Sequence, residues 1–172
     1  MIRAARVEDA GDIARVHIRS WQEAYRELMP VDYLASLEAT QPRREAAWRQ
    51  LIEQGREAVF VAEVDGQVVG WIAVSPSRDE DADPGETGEV QALYVLAEHW
   101  GTGVGRALWL RGLEHLARQG LETATLWVLA GNRRAIRFYQ NAGWTAQAES
   151  SRTLTRGGCE LEEIRYQSQK QH

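Results

Sequence analysis

The sequence is short of cysteine, since Cys159 is the only one among its 172 residues. An internal disulfide is therefore excluded, and so are metal sites built on pairs of cysteines. No apolar run reaches the roughly 18 residues that a membrane-spanning helix needs. Residues 1–6 form no signal-peptide hydrophobic region either. We therefore expect a cytoplasmic protein without a membrane partner.

Positive charge is also scarce: 20 Lys and Arg stand against 25 Asp and Glu, which gives a formal net charge of −5. Proteins that bind nucleic acid usually present a basic surface, so this balance argues against a nucleic-acid partner. Hydrophobic residues make up 44% of the chain and charged residues 26%, which are ordinary globular values. Without a repeat or a linker, a chain of this length predicts one domain over residues 1–172.

The hydrophobic pattern predicts an α+β fold with a mixed sheet. A stripe of apolar residues from Ala14 to Leu28 is typical of an amphipathic helix, which Pro30 interrupts. Residues 89–96 carry apolar side chains on both alternating faces, as a central strand covered on both sides does. Further helices are predicted at residues 31–37, 43–54, 103–118 and 132–142, and further strands at 2–7, 58–64, 67–75, 121–129, 145–155 and 159–167.

A glycine-rich turn, Gly101-Thr102-Gly103-Val104-Gly105-Arg106, joins a predicted strand to a predicted helix. Glycines let backbone N–H groups approach an anion closely, and a helix N-terminus adds partial positive charge. The turn therefore predicts a phosphate or pyrophosphate site, with a simple tight turn as the alternative. No Lys follows Gly105, so a P-loop is excluded, and Arg106 stands where a dinucleotide fingerprint needs its third glycine.

The turn and a later segment together resemble the GNAT superfamily of acetyl-CoA-dependent N-acyltransferases. The turn follows a strand that ends in Leu93-Tyr94-Val95, and Gly103 and Gly105 occupy glycine positions of that family. Trp100 departs from the pattern, because the family has Arg or Gln there. The second signature reads Asn-x-x-Ala-x-x-Phe-Tyr-x-x-x-Gly-Phe/Trp, and six residues match it: Asn132, Ala135, Phe138, Tyr139, Gly143 and Trp144.

This resemblance implies a mostly antiparallel sheet flanked by helices, whose fourth and fifth strands splay apart to admit a thioester. It implies acetyl-CoA as co-substrate and no metal. The pantetheine arm is expected along Leu93, Tyr94 and Val95, with Asn132 contacting it or capping its own helix. The residues expected at the pyrophosphate are Gly101, Thr102, Gly103, Val104, Gly105 and Arg106.

Two residues are candidates for the proton transfers. The resemblance implies that Tyr139 is the acid for the departing thiolate; packing within its helix stripe is the alternative. Some relatives carry a basic Glu on the fifth strand, where this sequence has Trp127. Glu89, at the start of the fourth strand, is the best remaining carboxylate for the base, and a solvated strand-end charge is the other interpretation.

The acceptor site is predicted at Trp21 and Tyr25, together with Glu89, because segments before the second strand wall this side of the cleft in the family. Packing of these aromatic residues against the sheet is the alternative. The leading hypothesis for function is direct transfer of an acetyl group to a primary amine. A non-catalytic acyl-CoA-binding sensor and an unoccupied structural domain are the competing hypotheses. The sequence leaves the acceptor open, and also whether the chain forms a homodimer.

Overall fold

A computed structural model describes residues 1–168, apart from the side chain of Ala148. Residues 169–172 of the predicted single domain lie outside this described part. The helices are α1 (Ala10–Ala24), α2 (Val31–Ser36), α3 (Gln41–Gln54), α4 (Val104–Arg118) and α5 (Arg133–Asn141). The strands are β1 (Ile2–Ala4), β2 (Ala58–Val64), β3 (Gln67–Pro76), β4 (Thr87–Val95), β5 (Thr123–Leu129), β6 (Thr145–Arg156) and β7 (Cys159–Gln167).

The strands form a seven-stranded sheet in the order β1-β2-β3-β4-β5-β7-β6. Every neighbouring pair is antiparallel except β4 and β5, which run parallel. The parallel pairing covers only Thr87–Glu89 against Thr123–Thr125. Beyond it β5 continues to pair with β7 while β4 continues to pair with β3, so the sheet opens into a gap. The predicted fold class and the splayed fourth and fifth strands are confirmed.

Helices cover both faces of the central strands. The indole N–H of Trp71 on β3 donates to the Ile13 carbonyl of α1 at 3.0 Å. The next residue, Ile72, faces the opposite side, where a Cβ added to Gly112 of α4 would lie 2.7 Å from its side chain. Both apolar side chains are fully buried, as expected for a strand covered on both faces. No helix of the described residues is both long and apolar enough to span a membrane.

The ends of the elements follow local sequence signals. The β2–β3 hairpin turns at Asp65 and Gly66, both with positive φ (52° and 78°), as the sequence predicts for an Asp-Gly turn. The first helix is shorter than its apolar stripe indicates, since α1 ends at Ala24 and Leu28 is 38% exposed. The chain from Tyr25 to Met29 instead forms a turn ahead of Pro30, which fixes φ and cannot donate a hydrogen bond.

A second apolar cluster lies beside the gap, away from the main core. It joins α1 and α2 to the end of β5 and to the β6–β7 hairpin, through Tyr25, Leu34, Leu129 and Leu154. The pairing of β6 with β7 is interrupted between Ala146 and Ser151. Irregularities of this kind bend a strand, and the outer half of the hairpin approaches the helices on this side of the sheet. The hairpin therefore closes one end of the gap.

Candidate active site

The glycine turn leaves the first N–H groups of α4 available. Gly101 and Gly103 have φ values of 73° and 91°, and Gly103 is the residue immediately before α4. The Ala107 N–H donates to the Gly103 carbonyl at 3.0 Å, whereas the preceding N–H groups of residues 104–106 have no backbone acceptor within the described chain. Open N–H groups at a helix N-terminus favour an anion. The turn therefore fits a phosphate group.

Trp100 holds this turn to β4, and the guanidinium of another residue lies on its ring. Its indole N–H donates to the Val95 carbonyl at 2.8 Å, which ties the turn to the end of β4. The guanidinium of Arg134, from α5, lies 3.4 Å from the centre of the indole ring, in cation–π geometry. The tryptophan that replaces Arg or Gln therefore brings a cation from another helix to the turn.

A cavity of about 320 Å³ occupies the gap between β4 and β5. It collects side chains from α1, β4, β5, α5 and the β6–β7 hairpin. Of the residues that the sequence predicts for the site, seven line it: Trp21, Tyr25, Leu93, Tyr94, Val95, Asn132 and Tyr139. Glu89 and the residues of the glycine turn are not among the lining residues.

The edge of β4 that faces the gap carries unpaired backbone groups. The Leu96 N–H donates to the Val69 carbonyl at 2.9 Å, and successive residues of a strand direct their groups to alternate edges. The groups of Leu93 and Val95 therefore point into the gap, whereas those of Tyr94 point toward β3. Since Trp100 already occupies the Val95 carbonyl, an extended ligand would find one C=O and two N–H groups along this edge.

Tyr139 presents its ring to the cavity from α5. It is buried to 8% exposure and packs against Trp109 at a ring distance of 5.3 Å, and its hydroxyl has no hydrogen bond to another described residue. Burial raises the pKa of Tyr139 above its ordinary value, and the nearby charge of Arg134 opposes this rise. The phenol therefore keeps its proton at neutral pH, as a proton donor must.

Aromatic side chains at the C-terminal end of α1 and just after it form the opposite wall. Trp21 donates its indole N–H to the Tyr94 hydroxyl at 2.7 Å, and its ring lies 4.8 Å from that of Tyr25. Asn132 accepts from the Ala135 N–H at 3.2 Å and so caps α5, while its amide donates to the Tyr25 hydroxyl at 3.2 Å. The cap predicted from the sequence thus also fixes the distance between α1 and α5.

Glu89 lies at the closed end of the gap. It is 2% exposed, and its carboxylate accepts from the backbone N–H of Arg78 at 2.9 Å and from the guanidinium Nε of that residue at 3.1 Å. The carboxylate, with the largest effect through its hydrogen bond, raises the pKa of Arg78. The structure therefore does not bring Glu89 together with Trp21 and Tyr25, and its assignment as the base stays a prediction.

The sequence and the fold were compared with those of known proteins. The sequence profile of the Acetyltransferase (GNAT) family matches residues 18–144. The chain belongs to the GNAT acetyltransferase family. An uncharacterised N-acetyltransferase of Bacillus subtilis, YuaI, is 37% identical over 164 residues, which cover 95% of this chain and 89% of that protein. A mycothiol acetyltransferase of Frankia casuarinae is 44% identical over 92 residues, which cover 49% of this chain but only 26% of the relative.

Solved structures show the same GNAT fold. The PaiA N-acetyltransferase of Thermoplasma acidophilum, solved in complex with coenzyme A, superposes with a TM-score of 0.76 at 17% identity and covers 98% of both chains. The putative acetyltransferase yncA of Salmonella typhimurium, solved with acetyl-CoA, gives a TM-score of 0.73 at 23% identity, over 100% of this chain and 94% of that one. At these identities the likeness concerns the fold alone.

The acetyltransferase also carries charged cavity residues that sequence reasoning missed. Glu163 of β7 is the one carboxylate among the lining residues of the described chain, and Arg152 and Arg156 of β6 line the cavity beside it. Arg152 donates its Nε to the Glu163 carboxylate at 2.8 Å and covers the ring of Trp127 at 4.1 Å. No local motif marks these positions, because the bend of the hairpin brings them to the gap.

Proposed function

We propose that the protein transfers the acetyl group of acetyl-CoA directly to a primary amine. The observation that carries the proposal is the open edge of β4, which borders the same cavity as Tyr139 and leads to the glycine turn. The edge supplies hydrogen bonds for an extended amide chain, and the turn supplies N–H groups for a pyrophosphate at its end. Together these features match the two amides of the pantetheine arm of coenzyme A and the pyrophosphate that follows them.

The residues that would hold the co-substrate follow from this layout. The N–H groups of residues 104–106 would bind the pyrophosphate, with Arg134 contributing the charge that Trp100 lacks. The pantetheine arm would lie against Leu93 and Val95. Its amides would form hydrogen bonds with this edge of β4, which no neighbouring strand occupies. Asn132, at the N-terminus of α5, borders the same channel. Acetyl-CoA supplies an activated thioester, and the chain supplies its alignment.

The transfer needs one proton acceptor and one proton donor. The neutral amine attacks the thioester carbonyl carbon, forming a C–N bond and a tetrahedral oxyanion, and the C–S bond then breaks. The departing sulfur takes the hydroxyl proton of Tyr139, while the nitrogen releases a proton to a carboxylate or to water. An N–H of the β4 edge would donate to the oxyanion. Arg134 stabilises the phenolate by its charge, since it lies close enough to lower the pKa of Tyr139.

For the proton acceptor we propose Glu163, because it lines the same cavity as Trp21 and Tyr25 and its charge acts on the Tyr25 phenol. Its ion pair with Arg152 is partly accessible, since the Glu163 side chain is 17% exposed and that of Arg152 is 49% exposed. The competing assignment is Glu89, which sequence reasoning favours but which Arg78 covers. A carboxylate accepts a proton only in its ionised form, so loss of the true base should change the acid side of the pH–rate profile.

The two assignments are separated by pH–rate profiles of Glu163→Gln and Glu89→Gln. We expect Glu163→Gln to lose the acid limb of the profile and to approach the wild-type rate only at high pH, where free amine is abundant. Glu162→Gln is the matched control, because this neighbour on β7 is exposed and does not line the cavity. If Glu163→Gln behaves like Glu162→Gln while Glu89→Gln loses the limb, Glu89 is the base.

The function itself is tested by binding and turnover together. Calorimetry should show acetyl-CoA binding, and a panel of primary amines should give release of CoA thiol with at least one acceptor. Binding without thiol release from any amine would contradict transfer and support the acyl-CoA sensor. The absence of binding by folded protein would refute both.

A further inference from the structure

Among the described residues, the β6–β7 hairpin contributes two arginines and one carboxylate to the cavity. Three arginines line the cavity: Arg134, Arg152 and Arg156. Arg134 lies on the ring of Trp100 at the glycine turn, and Arg152 is paired with Glu163. Arg156 is left without a carboxylate partner among residues 1–168; its Nη1 donates only to the Thr155 carbonyl, at 2.9 Å.

A second guanidinium, outside the cavity lining, lies within electrostatic reach of Arg156. Arg44 of α3 is partly buried and donates its Nε to the Thr40 hydroxyl at 2.8 Å, with no carboxylate partner among the described residues. Burial is the main cause that lowers the pKa of Arg44, and the charges of Arg43 and, more weakly, of Arg156 act in the same direction. An anion placed beside the guanidinium of Arg156 in the cavity would be stabilised by a charge that no carboxylate of the described residues neutralises.

Arg156 is exposed, but the backbone that follows it is closely packed. A Cβ added to Gly157, which has a φ of 58°, would lie 2.6 Å from the ring of Tyr33. The tip of the β6–β7 hairpin is therefore held against α2, next to the aromatic wall of Trp21 and Tyr25. Arg156 follows Arg152 by four residues on β6, which at about 3.3 Å per residue separates their Cα atoms by about 13 Å.

We propose that the acceptor is an amine that carries an anionic group, a carboxylate or a phosphate, at the far end of a spacer. Arg156 binds the anion, Glu163 receives the amino group, and the aromatic wall contacts the apolar spacer between them. The proposal rests on the proposed function for the identity of the reacting group. The anion itself is recognised whether or not transfer follows, so the two are separable.

The experiment compares acceptors that differ only in the anion. The probes are 6-aminohexanoate, 6-aminohexyl phosphate and hexylamine, each titrated by calorimetry into protein saturated with CoA and each assayed for CoA-thiol release with acetyl-CoA. We expect one of the two anionic probes to bind about tenfold more tightly than hexylamine, as one charged hydrogen-bonded contact provides. The stronger of the two identifies the anion.

Arg156→Gln should remove this preference and leave the affinity for hexylamine unchanged. Arg118→Gln is the matched control, since Arg118 is an exposed arginine of α4 paired with Glu114. Equal binding of hexylamine and both anionic probes to the wild type would overturn the proposal. So would an equal loss of affinity for all three probes in Arg156→Gln. Anion-selective binding that Arg156→Gln removes, without thiol release from these probes, would uphold anion recognition, and the panel of amines would then decide the proposed transfer separately.

Discussion

The glycine turn gives the sharpest test of the co-substrate site, through replacement of Gly103. This residue precedes α4 with a φ of 91°, and a Cβ added there would have no atom within 4 Å. A side chain at residue 103 is therefore opposed by the backbone conformation alone, at a cost of about 1–2 kcal/mol of folding stability. Asn and Asp adopt positive φ more readily than other residues, so Gly103→Asn and Gly103→Asp should both fold.

The two variants have side chains of the same shape and differ by one negative charge. Two unit charges 4 Å apart repel by about 1 kcal/mol in bulk water and by about 4 kcal/mol at an effective dielectric constant near 20. Because Gly101, Thr102 and Gly103 are exposed, we take an intermediate repulsion of about 2 kcal/mol between the aspartate and one phosphate charge. The dissociation constant of acetyl-CoA should then be roughly 30-fold higher for Gly103→Asp than for Gly103→Asn.

Calorimetry at low and high salt measures this difference, and urea unfolding checks that both variants keep their fold. The ratio of the two dissociation constants should shrink at high salt, because ions screen repulsion at an exposed site. Equal affinities for the two folded variants would refute the reasoning, since the phosphates would then lie elsewhere.

Three further predictions concern catalysis, the acceptor and stability. Tyr139→Phe should lower kcat about 100-fold, the usual loss for a proton donor, with an unchanged dissociation constant for acetyl-CoA in calorimetry; full activity would assign the residue to packing. Trp21→Ala should raise the acceptor KM about tenfold while acetyl-CoA affinity and cooperative urea unfolding persist; loss of folding alone would place it in the core. The hydrogen bond from Arg3 lowers the pKa of Asp9 in the folded protein. The ionised carboxylate therefore stabilises the fold fully above about pH 4, the pKa of Asp in the unfolded chain, and this stabilisation is lost as the pH falls through the lower pKa of the folded protein. Asp9→Asn should flatten this acid dependence of the free energy of unfolding, and a parallel curve for both proteins would contradict the role.

Glu89 illustrates which features of the site the sequence does not predict. The sequence showed that Glu89 stands at the start of the fourth strand and that residue 127 is a tryptophan and not a carboxylate. The sequence did not predict the contact between Glu89 and Arg78. Arg78 lies in the loop between β3 and β4, and the path of this loop depends on how it packs over the strand end. Whether a carboxylate faces a cavity or an ion pair is decided by such contacts between distant segments.

The sequence by itself determined the features that depend on local backbone geometry. Hydrophobic periodicity predicted the helices and strands, Asp65-Gly66 the hairpin, and Asn132 the cap of α5, because each depends on a few neighbouring residues. The two family signatures are local motifs as well, and they located the glycine turn before α4 and Tyr139 within α5. None of these local patterns predicted how the elements are arranged relative to one another.

The tertiary structure alone decided which charged groups border the cavity. Arg134 reaches Trp100 from a different helix, and Glu163 and Arg156 reach the gap because the irregular pairing of β6 with β7 bends the hairpin toward α2. Strand alternation predicts that two residues share a face, but it does not predict how far a bent hairpin carries that face across the sheet. Such contacts join residues far apart in sequence, so they depend on the packing of the whole chain and leave no local pattern.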